Sequence, residues 1–123
     1  MAPTCVALVD DEASLRVALG RLLRLAGHDV AAFASGDEFL SSLDTRVPDC
    51  ALLDIHMPGL SGLQVQARLK AAQVNLPVVF ITADDDAELA RSALAAGGLR
   101  VLRKPFANAE LLAAVDLALQ CRR

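Results

Sequence analysis

A doubly wound α/β domain is the architecture this chain calls for, with one parallel sheet and helices on both faces. Three features carry that expectation. Short apolar, β-branched runs alternate strictly with amphipathic helical stretches, the links between them are short, and polar or charged residues close the runs. Alternation of this kind implies a parallel sheet with right-handed crossovers. The 123 residues fit one domain, 1–123, near the commonest domain size. At this length roughly two-thirds of the unfolded surface can be buried, enough for a self-sufficient core.

The elements follow in order. Thr4–Asp10 (TCVALVD) is apolar and β-branched and ends in acids, so it reads as a buried strand. Ser14–Ala26 is a helix, with Leu15, Ala18, Leu19, Leu22 and Ala26 on one face and Gly27 as its stop. His28–Phe33 is the second strand. Ser35-Gly36-Asp37-Glu38 has the form of a capping box and opens a helix to about Leu43. Asp49–Asp54 is the third strand. Ser61 to Gln64 repeats the box, and Val65, Leu69 and Ala72 share a face of the helix it opens. Pro77–Ile81 is continuously apolar, as suits a strand covered on both sides. Asp86–Ala96 is a helix with Leu89, Ala90, Ala93 and Leu94 inward, stopped by Gly97-Gly98. One aspartate of Asp84-Asp85-Asp86 caps it. Leu99–Arg103, flanked by arginines, is an edge strand, and Asn108–Gln120 is the last helix.

Composition narrows the function. The net charge is −3, and Arg16, Arg21, Arg24 and Arg91 are scattered, so direct binding of nucleic acid by this domain is not expected. No apolar run approaches the ~20 residues of a membrane helix. The start, Met1-Ala2-Pro3-Thr4, lacks the layout of a secretion signal. Three cysteines, Cys5, Cys50 and Cys121, show no metal-type spacing. They read as inert thiols in a reducing cytoplasm, and a redox pair of Cys5 with Cys50 has little behind it.

The chemistry lies at the strand ends. Ligands of such sheets bind outside the carboxyl ends of the strands, and Asp10, Asp11, Asp54, Thr82 and Lys104 all fall there. Converging carboxylates raise one another's pKa and cost stability unless a cation neutralises them. An oxygen-only donor set suits Mg²⁺ rather than Zn²⁺. A carboxylate can itself accept a phosphoryl group, and that transfer needs in-line placement and charge neutralisation more than covalent machinery. Asp54 is the candidate nucleophile, Lys104 the ammonium group and Thr82 the hydroxyl donor.

Together these residues resemble the receiver domain of two-component response regulators. The resemblance runs from about Thr4 to Gln120. Its carriers are Asp10-Asp11, Asp54-Ile55-His56-Met57-Pro58 with Gly62, Thr82-Ala83, and Lys104-Pro105-Phe106. The wording around them (Ala34-Ser35-Gly36, Ser61-Gly62-Leu63, Leu76 to Thr82) is similar to the FixJ-type branch, whose members usually carry a LuxR-like helix-turn-helix output domain. The resemblance implies a flavodoxin-like (CheY-like) (βα)₅ domain with strand order 2-1-3-4-5. It implies that Asp54 accepts phosphate from a sensor histidine kinase or a small donor such as acetyl phosphate. Asp11 and Asp54 would ligate Mg²⁺ directly, Asp10 through water, and the carbonyl of His56 would be a further ligand. Thr82 and Lys104 would contact the phosphoryl oxygens, and the Lys104-Pro105 bond would be cis. Output would pass through the fourth helix, fifth strand and fifth helix, to a partner or to a second copy of the chain.

Two positions depart from the common pattern. Receivers often carry an aromatic residue in the middle of the fifth strand that swings inward on activation. Here that position is Val101, which cannot swing between distant pockets. Asp84, two residues after Thr82, and His56 lie where water access to an acyl phosphate is set. Neutral residues at both should change the aspartyl-phosphate half-life; an unchanged half-life rejects that role. Three rivals are weaker. A haloacid-dehalogenase-type phosphatase wants a second aspartate where His56 stands, and also a cap domain. A nucleotide or flavin module wants a glycine-rich cradle after the first strand instead of Asp10-Asp11-Glu12. A pseudo-receiver that signals without phosphate has no need of the intact acidic set.

Overall fold

Alternation of apolar side chains along the strands gives the sheet two apolar faces, and each is covered. The computed structural model describes residues 4–83 and 85–121. Its elements are β1 (Cys5–Val9), α1 (Ala13–Leu25), β2 (Asp29–Phe33), α2 (Gly36–Ser42), β3 (Cys50–Asp54), α3 (Gly62–Ala71), β4 (Val78–Thr82), α4 (Ala87–Ala95), β5 (Arg100–Arg103) and α5 (Asn108–Cys121). All pairings are parallel, in the order β2-β1-β3-β4-β5. Both β2 and β5 are therefore edges, and both show exposed positions.

Successive residues of a strand point to opposite faces. Val6, Leu8, Cys50, Leu52, Val79 and Ile81 meet Leu19 and Leu23 of α1 and Leu111 and Val115 of α5. On the other face Ala7, Val9, Ala51, Leu53, Val78 and Phe80 meet Phe39 of α2, Val65 and Leu69 of α3, and Ala93 of α4. Burying each large side chain of this kind contributes roughly 1.5–3 kcal/mol, and these layers make the rim at the strand carboxyl ends rigid. The same parity places Cys5 with Ala7 and Cys50 with Val6, on opposite faces of the sheet. Among the described residues no cysteine is in a disulfide, and Cys5 and Cys50 are kept apart by the sheet between them.

The caps fall where expected. Ser35 Oγ accepts from the Glu38 amide at 3.2 Å. At α3 the box is reciprocal: Ser61 Oγ accepts from the Gln64 amide at 3.2 Å, and Gln64 Oε1 accepts from the Ser61 amide at 2.9 Å. Asp86 is the aspartate that caps α4, its Oδ1 accepting from the amides of Glu88 and Leu89.

The helix faces need three corrections. On α1, Leu15, Leu19 and Leu22 face the core as expected, but Ala18 and Ala26 are exposed and fully buried Leu23 completes the inward stripe. Ala72 is the exposed C-cap of α3, and buried Gln66 takes its place on the inward side. Leu94 is 49% exposed; Ala93 is the buried residue of α4, a helix that rests on the sheet through small side chains.

Candidate functional site

β1, β3 and β4 end level with one another, and each delivers one polar side chain to the rim. Asp10 follows β1 and is fully buried, Asp54 ends β3 at 5% exposure, and Thr82 ends β4 at 2%. Asp11, one residue past Asp10, is exposed. Carboxylate oxygens of Asp10, Asp11 and Asp54 lie within 4.8 Å of one another. The three acids predicted to converge do so.

Lys104 enters from β5. Its amide donates to the Thr82 carbonyl at 2.8 Å, and the Lys104-Pro105 peptide is cis, as the resemblance implied. The ammonium group lies 3.3 Å from Asp10 Oδ2 and 3.8 Å from Asp54 Oδ2. One cation thus faces three carboxylates, leaving a net negative pocket. The electrostatic consequence falls on Asp54, whose carboxyl is pushed up to about 6. Burial is the main cause and the Asp10 charge the next, with Asp11 adding a little. Lys104 and the His56 amide, which donates to Asp54 Oδ1 at 3.3 Å, pull the other way. Buried like charges raised in this way are what a divalent cation would relieve. The donor set, all hard oxygens, fits magnesium or a similar ion.

His56 is exposed, and its backbone amide lies beside Asp54. Gly62 explains its own presence. A Cβ there would sit 2.5 Å from the Asp54 carbonyl oxygen and 3.0 Å from Ile55 Cα, so only glycine lets α3 start this close to the Asp54 backbone. Val101 lies opposite Phe80 in the β4–β5 register and packs partly buried against the same layer as Leu89. Asp84 lies outside the described residues. Its neighbour Asp85 pairs with the Arg103 guanidinium across the β4–α4 loop.

Two supports had no signal in the sequence. Arg16, one turn into α1, donates to the Asp10 carbonyl at 2.6 Å, and the Glu12 amide donates to Asp10 Oδ1 at 2.9 Å. Both fix the β1–α1 loop, and both depend on chain tracing that residue spacing does not encode.

An acidic pocket with one half-buried lysine, at the carboxyl rim of a five-stranded doubly wound sheet, defines a class of signalling domain. The chain belongs to the response regulator receiver domain family, whose model matches residues 6–116. It is 40% identical over 113 residues to Nodulation protein W of Bradyrhizobium diazoefficiens, covering 92% of this chain and 50% of that protein. A solved receiver protein from Burkholderia phymatum is 45% identical with a TM-score of 0.85, covering 97% of this chain and 96% of that one. FixJ-N superimposes with a TM-score of 0.92 at 28% identity, covering 100% and 98% of the two chains. The chain spans about half the length of several curated relatives that it matches. No described helix is long and apolar enough to cross a membrane.

Proposed function

We propose that the domain is a phosphoryl-accepting switch of a two-component system, phosphorylated on Asp54. The observation that carries this is the pocket itself: a nearly buried carboxylate, two more within 4.8 Å, and an ammonium group 3.8 Å away. An Asp54 carboxylate oxygen attacks the phosphorus of a sensor kinase's phosphohistidine, or of acetyl phosphate. The new O–P bond forms as the P–N or P–O bond breaks, and the electron pair leaves with imidazole or acetate. Lys104 and Thr82 hold the phosphoryl oxygens, and burial of Asp54 keeps bulk water from its carboxylate. Asp10, Asp11, Asp54 and the His56 carbonyl would hold Mg²⁺, which when bound neutralises charge on the acids and the phosphoryl group. The reaction is self-catalysed transfer and hydrolysis, not turnover of a metabolite.

The reading extends to context. The likeness to FixJ-N is the support for a FixJ-type branch, in which a helix-turn-helix output domain controls transcription. The partners are a cytoplasmic kinase module and, on phosphorylation, a second copy through α4, β5 and α5. With Val101 at the aromatic position, the signal passes through the Thr82–Asp86 loop into α4. The test is incubation with acetyl phosphate and Mg²⁺, followed by intact mass. A phosphoryl adduct on the wild type and none on Asp54→Ala is expected; an adduct on both, or on neither, rejects the assignment.

A further inference from the structure

Away from the acidic rim, at the β2 edge, the sheet leaves a cavity of about 160 Å³ between β1, β2 and the segment joining α2 to β3. Its origin lies in the sequence. Ala7 and Ala31 are register partners on the same face of adjacent strands, where two β-branched residues would fill the space. Their methyl groups form the floor, with the Cys5 thiol at one end, the Phe33 ring at the other and Pro48 as a wall. Polar groups are few. Ser42 borders the space, but its hydroxyl donates to the Phe39 carbonyl at 2.6 Å. Thr45 and Arg46 are exposed and form the rim.

The geometry points to a binding site for a small molecule carrying one aromatic ring. The volume is close to the roughly 150 Å³ that holds one benzene, and the walls are almost wholly apolar, so the half-open space favours an apolar occupant. The Phe33 ring already meets Phe39 at a centroid distance of 5.5 Å and a tilt of 55°, and it offers an incoming ring the same tilted packing. Arg46 is the charged residue of the lining and stands at the rim. Burial raises the thiol's pKa, so the thiol stays neutral and adds only soft contact. An occupant would also touch the strand that holds the acidic site, because the Phe33 carbonyl accepts from the Asp10 amide at 3.1 Å. The proposal stands apart from phosphoryl transfer and does not need it.

Benzene is the probe, titrated into the ¹⁵N-labelled chain. The expected result is saturable shifts centred on the Cys5, Ala7, Ala31 and Phe33 amides, with Kd on the order of a millimolar for so few atoms. Ala31→Leu fills the cavity and should weaken benzene at least tenfold. Ala32→Leu, at the exposed neighbouring position, should leave it unchanged. If Ala31→Leu does not fold, Ala31→Val serves with a smaller loss. No saturable shift in the wild type overturns the site, as does equal binding by the filled variant.

Discussion

At Asp54 a single carboxyl carries both the proposed phosphoacceptor role and the raised pKa of the pocket. Its folded value, about 6, lies above its ordinary 3.8, so the fold favours the protonated form. The contribution of this group to stability is therefore whole below about pH 4 and is lost as pH climbs through about 6. In metal-free buffer, Asp54→Asn should remove that slope. It should stabilise the protein at pH 7 by on the order of 2 kcal/mol, with no gain below pH 4. Urea denaturation of both proteins across this range, with chelator present, checks it; a gain at pH 4 equal to that at pH 7 would rule the explanation out. Lys104 is the opposing charge. Lys104→Met should push the Asp54 carboxyl further upward and slow phosphorylation by acetyl phosphate by roughly a hundredfold or more, the usual cost of losing one stabilising group. With no tryptophan in the chain, intact mass against time is the suitable readout. Unchanged rates would exclude Lys104 from the transfer.

At the scale of elements, α3 is held to β3 more tightly than any sequence pattern states. Gly62 was visible as part of a resemblance, but its reason is steric: the 2.5 Å approach to the Asp54 carbonyl. Gly62→Ala should cost roughly 1–3 kcal/mol through overpacking and should shift the Asp54 and Ile55 amides, whereas Gly27→Ala, with open space around its Cβ, should leave those amides alone. Matching spectra for the two variants would contradict the contact. The same contrast marks what the sequence could disclose. Strand positions, caps and rim acids are written in local patterns, since apolar runs, Ser-x-x-Gln and Asp-Asp pairs report on their own neighbourhood, whereas the order of strands in the sheet is implied only by the resemblance. Which alanines face inward is not. Ala18 and Ala26 of α1 carry too little apolar surface to choose a side, and Leu23 wins because α1 packs on β1 and β2 through it. Leu94 fits an inward periodicity yet lies outward, since α4 meets the sheet through Ala93. Arg16 and the Glu12 amide became legible only once the β1–α1 loop had a path.

Across the whole molecule, apolar layers on both faces of the sheet stabilise the fold while one rim concentrates uncompensated negative charge. That division makes stability depend on a ligand that binds only the folded rim. At pH 7.5 and a Mg²⁺ concentration about 100 times its Kd, linkage predicts stabilisation of about 2.7 kcal/mol, or a rise in Tm of roughly 10 °C for a domain of this size. At pH 5 the proton on Asp54, held up to about 6, competes with the ion, so the same Mg²⁺ concentration should raise Tm by much less. Chelator should return each curve to its own metal-free baseline, which is higher at pH 5 because Asp54 is then largely protonated. Asp10→Asn with Asp11→Asn removes two of the three donors and should abolish the rise at both pH values, while leaving the apolar layers untouched. Scanning calorimetry with and without Mg²⁺ decides the matter. A rise in the double variant equal to that of the wild type would mean the ion acts elsewhere on the surface, and the rim would lose its claim to be a cation site.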